Sequence, residues 1–347
     1  MTASPAGATA LALVESPAQL LNVLEFAYQS PDLKDLPIAV LAPKAGPTRD
    51  QLRAMAALAS DTSHQVLWYE PRLGRRGPPA YWALLGHLRA VDQLVVGDPF
   101  SRVVQSLLAT SRPRPVTLVD HGTATLEFAR RWAAGDPLVR WQRTVPPGAP
   151  RPLLGTVRDV FAGTARRRLL DGGLRIFTAM PVELAGVEVV PNTYAWVRSR
   201  FPAPAINEAP DLVGTSLVET GVVRSERYLA AVRSLVQQYR VGRYFAHRKE
   251  GEEKLAEITG LRVEVIRPDL PLELVARRGP VGRTLLSFPS AVLHTLPLVL
   301  AGTGVEVLVC QAGQDWYRPS APDQAEDLLA QVTSTAQVQH GLATVAC

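Results

Sequence analysis

Short apolar runs alternate with amphipathic stretches through most of this chain. Thr9–Glu15 reads as a strand ending in an acid. Pro17–Tyr28 follows as a helix, with Leu20, Leu21, Leu24 and Ala27 on one face and a proline at its start. The same alternation continues through a strand at Ile38–Leu41, a helix at Arg49–Ser60 and a strand at Gln65–Tyr69. A loop at Pro71–Ala80 leads to a helix at Tyr81–Ala90 and a strand at Gln93–Gly97. A helix at Phe100–Leu108, a strand at Val116–Asp120 and a helix at Thr125–Trp132 complete the run. Strands that are apolar throughout, separated by helices, predict a parallel sheet buried on both faces. Right-handed crossovers then gather the strand C-termini along one edge. Glu15-Ser16, Asp98 and Asp120-His121-Gly122-Thr123 are expected at that edge.

Residues 133–205 break the rhythm and read as an irregular insertion. Proline-rich stretches lie at Val145–Pro152 and Phe201–Pro210, the second expected to join two domains. Arg166-Arg167-Arg168 between them reads as a solvated helix face, with an acceptor-binding or membrane-facing patch as the functional alternative. Alternation returns with strands near Leu212–Gly214, Arg243–Ala246, Arg262–Ile266, Thr284–Phe288 and Val305–Cys310. Helices are expected at Glu226–Tyr239, Glu252–Thr259, Ala291–Leu300 and Asp323–Thr333. The expected division is 1–205 and 206–347, two α/β domains facing across a cleft.

Composition narrows the class. The 347 residues are 47% hydrophobic and 20% charged, which is globular and long enough for two cores. A net charge of +5 is too small to argue for nucleic acid and suits an anionic ligand or an anionic membrane face. Two cysteines form no disulfide framework or metal-ligand spacing, so a cytoplasmic setting without metal or cofactor is expected. The first ten residues lack the basic and apolar pattern of a signal peptide, and no apolar run has the length of a membrane span. Walker and GxGxxG phosphate loops are absent from the sequence.

Three loops carry candidate chemistry. In Asp120-His121-Gly122, either side chain can serve as a general base, or Asp120 can cap the next helix. At the end of a strand, His247-Arg248 suits an anionic leaving group. Ser287-Phe288-Pro289-Ser290 precedes an apolar helix, so Ser290 is expected as a phosphate-binding N-cap or as a plain one.

These motifs, with Val14-Glu15-Ser16-Pro17, Leu20-Leu21-Asn22 and Pro271-Leu272-Glu273, resemble the bacterial sialyltransferase and α-2,8-polysialyltransferase families in order and spacing. The resemblance spans nearly the whole chain and is weakest over 133–210. It implies a GT-B fold of two Rossmann-like domains. It also implies inverting, metal-independent transfer of sialic acid, or a related nonulosonic acid, from a CMP-activated donor to a glycan hydroxyl in cell-surface polysaccharide synthesis. On this resemblance the acidic loop supplies the base from Asp120 or His121, and His247 assists departure of CMP. Arg248, Glu273, Ser287 and Ser290 hold the donor, while Glu15, Ser16, Asp98, Gly122 and Thr123 line the cleft. Two departures stand out. His121 occupies the place of a second acid, and Arg248 that of a proline. The alternatives are a GT-B transferase using CMP-Kdo or a UDP-sugar, and a silent binding protein of glycan assembly. Peripheral contact with the inner membrane face is a further expectation.

Overall fold

The computed structural model describes residues 10–44, 46–140 and 153–347. Thr9, the first ten residues apart from Ala10, and the proline-rich stretch at 145–152 therefore lie outside the described residues. The chain forms two compact units, Met1–Asn192 and Thr193–Cys347.

Unit 1 runs β1 (Ala10–Val14), α1 (Pro17–Gln29), β2 (Ile38–Leu41), α2 (Pro47–Asp61), β3 (Val66–Tyr69), α3 (Gly77–Arg89), β4 (Gln93–Val96), α4 (Arg102–Thr110), β5 (Val116–Val119), α5 (Thr123–Ala133), α6 (Leu153–Gly172), β6 (Leu174–Thr178) and β7 (Glu188–Pro191). All seven strands are parallel, in the order β3-β2-β1-β4-β5-β6-β7. β1 is an interior strand, between β2 and β4, and its five side chains are buried. Leu11 and Leu13 are fully enclosed, and each such side chain contributes about 1.5–3 kcal/mol. Ser16 ends β1 and starts α1 together with Pro17: its hydroxyl accepts from the Gln19 amide, and proline at the first helical position needs no partner for its nitrogen.

The supposed irregular insertion is different in the structure. Its described part holds α6, β6 and β7, which extend the same sheet. β6 opens with Leu174 and the exposed Arg175 and ends in a buried run, Ile176, Phe177 and Thr178, hidden in sequence behind an arginine-rich helix. The Pro71–Ala80 loop is shorter than expected, because α3 already begins at Gly77.

Unit 2 runs α7 (Ala195–Arg200), β8 (Ile206–Asn207), β9 (Asp211–Val213), α8 (Ser225–Tyr239), β10 (Arg243–Phe245), α9 (Glu252–Thr259), β11 (Glu264–Ile266), α10 (Leu272–Arg278), β12 (Val281–Gly282), β13 (Thr284–Ser287), α11 (Val292–Val299), β14 (Glu306–Cys310), α12 (Asp323–His340) and β15 (Thr344–Val345). Its main sheet is again wholly parallel, β11-β10-β9-β13-β14-β15. The proline-rich stretch expected to join the domains lies inside this unit, where β8 pairs with β12.

Numbered by their order within each sheet, both units therefore follow the doubly wound pattern 3-2-1-4-5-6, with unit 1 adding a seventh strand. Two Rossmann-like parallel sheets were expected, and two are found. In each, strand order reverses between the first and fourth strands, and ligands of such sheets bind at the strand C-termini there.

Candidate functional site

In unit 1 the reversal lies between β1 and β4. Glu15 ends β1, and its carboxylate takes Arg72 at 2.6 Å and the Ser101 hydroxyl. Burial pushes the Glu15 pKa up, opposed chiefly by the Arg72 charge. Asp98, after β4, accepts from the Phe100 amide at 2.9 Å and pairs with Arg140 at 2.9 Å. Ser16 is spent on the α1 cap.

Asp120, expected as a base or as a helix cap, is closely held by its surroundings. It is 1% exposed, and both carboxylate oxygens are engaged. Oδ1 accepts from the Gly122 amide at 3.0 Å and the Thr125 hydroxyl at 2.7 Å, and Oδ2 from the Ala179 amide at 3.1 Å. Burial raises its pKa, and these donors, with Thr178, oppose the rise. Through these bonds Asp120 ties the β5 loop to the end of β6. Gly122 sits at φ +62°, and Thr123 opens α5.

His121 is half-buried, as are Gly122 and Thr123 after it. Its Nδ1 meets the Gln19 amide nitrogen and the Gly97 carbonyl, the latter at 3.3 Å. Gln19 Oε1 accepts from the Glu15 amide at 2.7 Å, which fixes the glutamine with its nitrogen toward His121. Gly97 is required for this: a Cβ there would lie 2.6 Å from the Gln19 side chain. Gln19 is fully buried and was not singled out in the sequence. Its only signal there is a polar residue on the apolar face of α1.

In unit 2 the reversal lies between β9 and β13. The β10 loop beside it carries His247-Arg248-Lys249-Glu250 over a buried polar network. Glu250 Oε1 accepts from the His247 amide at 2.6 Å, and Oε2 from the Tyr244 hydroxyl at 2.8 Å. Tyr244 and Tyr228 hydroxyls are 2.7 Å apart, and the Tyr228 hydroxyl accepts from the Thr215 amide at 3.3 Å. Lys254 reaches Glu250 and Glu219, each at 3.1 Å, and the Thr215 carbonyl at 2.9 Å. The network locks the β9 and β10 loops together. Gly214 lets them approach, since a Cβ there would lie 2.2 Å from Glu250 Oε1. Burial raises the Glu250 pKa against the pull of Lys254 and drives both tyrosines well above their ordinary value.

His247 Nδ1 accepts from the Lys249 amide at 3.2 Å, so the ring proton sits on Nε2. Burial first, then Arg248, Lys249 and Lys254, bring its pKa down to about 3, so the ring is neutral. Next to it, Arg248 has a buried Nε with no hydrogen-bond partner. Burial lowers its pKa, and the charge of Glu273 is what opposes this. Glu273, on α10, accepts from the Thr295 hydroxyl at 2.7 Å. A buried guanidinium nitrogen without an acceptor fits an anionic group.

The two expected phosphate-binding serines are placed differently: Ser287 is closed off, whereas Ser290 is half-buried. Ser287 is fully buried and gives its hydroxyl to the Phe288 carbonyl at 3.0 Å. Ser290 does not cap α11 with its side chain: the helix starts one residue later than expected, at Val292 after Ala291, and Ser290 contributes only its carbonyl to Leu293. Arg166 stacks over Trp132 at 4.5 Å and donates to that residue's carbonyl, so the triple-arginine run is not a uniformly solvated face. Among the described residues no group of three or more His, Cys, Asp or Glu side chains is placed to hold a metal ion, and no helix is long and apolar enough to cross a membrane.

No protein-family model and no curated protein matches the chain. Solved structures do. The Anabaena protein HepE in complex with UDP and glucose is 12% identical, over 96% of this chain and 95% of its own, with a TM-score of 0.49. A putative UDP-N-acetylglucosamine 2-epimerase from Listeria monocytogenes is 12% identical over 96% and 92%, with a TM-score of 0.47. A UDP-glucosyltransferase from Polygonum tinctorium is 13% identical over 97% and 95%, with a TM-score of 0.45.

Proposed function

We propose that this chain transfers a glycosyl group from a nucleotide-activated donor to an acceptor hydroxyl, in the GT-B manner. The observation that carries the reading is the Arg248 Nε, buried and without an acceptor beside a neutral His247 that carries its proton on Nε2. A departing nucleotide phosphate gains negative charge, and fixed donors aimed at it lower the barrier. Lys249 and Lys254 add positive charge around the same loop.

The finer reading is a CMP-activated nonulosonic acid, inverted at the anomeric carbon without a metal. It rests on the motif order seen in the sequence. CMP-Kdo or a UDP-sugar is the competing donor. In unit 1, His121 takes the acceptor's proton, and Asp120 holds the loop. Two partners meet at His121 Nδ1. The Gln19 amide needs a lone pair there, and the Gly97 carbonyl needs an N–H. The base role needs the second tautomer, which leaves the lone pair on Nε2. Peripheral contact with a membrane face belongs to the same reading.

The test is a thermal melt with CMP, UDP and GDP, followed by assay for free nucleotide and glycosylated product with the matching donor. A rise with CMP and release of CMP from CMP-sialic acid supports the finer reading. A rise with UDP alone moves the donor. Nucleotide binding with no turnover on any donor supports a silent binding protein, and no response to any nucleotide rejects the proposal.

A further inference from the structure

One outer layer of unit 1 is built unlike a solvated surface. β1, β2 and β3 step one way along the sheet, and β3, β4, β5 and β6 step the other. Right-handed crossovers therefore put α1 and α2 on one face, and α3, α4 and α6 on the opposite face. Contacts agree: α1 packs on α2 and α4 on α6, while the Tyr81 hydroxyl of α3 meets the Thr110 hydroxyl of α4 at 3.3 Å.

On α3 the outward positions are apolar. Pro79, Trp82, Ala83 and Gly86 fall at helical spacing and are all exposed, while Leu84, Leu85 and Leu88 are buried inward. A helix apolar on its outer side as well as its inner one has a solvent-facing stripe with no partner. Trp82 is 65% exposed. α6, in the same layer, exposes Val160 and Leu170, at 61% and 55%. These three are most of the large apolar side chains exposed among the described residues, the others being Tyr28 and Val338. The exposed charges around them are mostly positive, with Asp92 after α3 and Asp171 after Leu170 as the acids. Arg75 before α3, Arg89 on α3, Arg102 on α4 and Arg167 on α6 are exposed.

The geometry points to this α3–α4–α6 layer as the surface by which the protein docks on an anionic lipid bilayer. An indole with aliphatic neighbours suits the boundary between headgroups and acyl chains. A rim of arginines suits anionic headgroups, and arginine stems lie along apolar surface while their charge stays in water. The inference rests on the reading of peripheral membrane contact and names its surface, which is not the Arg166–Arg168 run but the layer led by Trp82. It does not depend on which donor is used.

The experiment is sedimentation of the full chain with vesicles of phosphatidylcholine, with and without phosphatidylglycerol, at low and high salt. The comparison set is wild type, Trp82→Ser/Leu170→Ser, and Arg75→Gln/Arg102→Gln. Wild type is expected to co-sediment only with the phosphatidylglycerol vesicles, and less so at high salt. The apolar variant is expected to lose about tenfold in partitioning, and the arginine variant about fivefold per cation removed. Both variants should keep the wild-type melting temperature, because every altered side chain is exposed. Wild type that binds no vesicle overturns the docking surface together with the reading of membrane contact. Vesicle binding that survives both variants overturns this surface and leaves membrane contact standing. Equal binding to phosphatidylcholine alone overturns the anionic-lipid assignment. A dimer in light scattering that the Trp82/Leu170 change dissolves gives the layer to a second copy of the chain, and also overturns it.

Discussion

The two units share one strand order yet satisfy the polar groups at the edges where that order reverses in opposite ways. At the edge of unit 1 the charges are matched from within. Arg72 answers Glu15, Arg140 answers Asp98, and four donors answer Asp120. Even the space beside Gly97, where a doubly wound domain can receive a phosphate, is filled by Gln19. At the edge of unit 2 a buried network fixes the loop from beneath, and the loop contains a buried guanidinium nitrogen with no acceptor. Topology alone thus sets where a ligand can bind. On the proposed function, the edge that receives the anion is the one whose local donors are not already satisfied.

The largest effect expected from breaking this contrast lies beneath the unit 2 loop. Glu250→Ala strips Lys254, whose side chain is 5% exposed, of its most buried partner. It also leaves the His247 amide and the Tyr244 hydroxyl short of an acceptor. Removing one member of a buried pair costs about 3–5 kcal/mol, so urea denaturation should show a large fall in stability with nucleotide binding lost as well. Glu250→Gln keeps the shape and should recover much of the stability.

Arg248→Ala comes next. A hydrogen bond to a charged group is worth about 1.5–3 kcal/mol, so nucleotide affinity by calorimetry should fall roughly 10- to 150-fold with little change in the ligand-free melt. By contrast, His121→Ala should leave nucleotide affinity near wild type and lower turnover about 10²- to 10⁴-fold. A loss of nucleotide affinity in that variant would erase the division between the two edges.

A fourth prediction concerns acid. Folding holds His247 at about 3 and His294 at about 4, both below the ordinary 6.5 and both mainly through burial. A depressed histidine is neutral in the folded chain while the unfolded chain takes up a proton. Its contribution is complete above about pH 6.5 and is lost as pH falls, down to about 3 for His247 and about 4 for His294. His294 is fully buried, between the Val332 carbonyl and Gln339. His294→Gln should therefore flatten the pH dependence of stability between 6.5 and 4 by up to about 1.4 kcal/mol per pH unit. Raised carboxyl pKa values at Glu15, Asp120 and Glu250 act in the opposite sense, losing stability as pH rises. The variant-minus-wild-type difference isolates the histidine.

The smallest expected effect is Ser287→Ala. Its hydroxyl is committed to the Phe288 carbonyl, so nucleotide affinity should change less than about twofold, while stability falls by about 1 kcal/mol. A large loss of nucleotide affinity would restore Ser287 to the ligand site.

Much of the fold was legible because its strands are buried on both sides. Ile38–Leu41 and Val116–Val119 are uniformly apolar, and nothing but an interior strand fits such runs between helices. β6 and β7 were missed because prolines and arginines around them mask short apolar runs. β15, two residues long near the chain end, has no pattern to read. For the site, sequence placed Asp120, His121, His247 and Arg248 on strand-end loops, which is where they are. It could not tell which were already satisfied. Asp120 meets Ala179 across 59 positions, and Gln19 meets His121 across 102, and no spacing rule foresees either. The cap at Ser290 failed for a local reason, since the chain enters α11 through a turn at Ser290–Ala291.

The most direct test of the proposed anion-binding edge is the melting temperature of wild type and Arg248→Ala, each with and without millimolar CMP and UDP. A rise with at least one nucleotide in wild type, largely absent from the variant, is the predicted result. An equal rise in both proteins, or none in wild type, would contradict it.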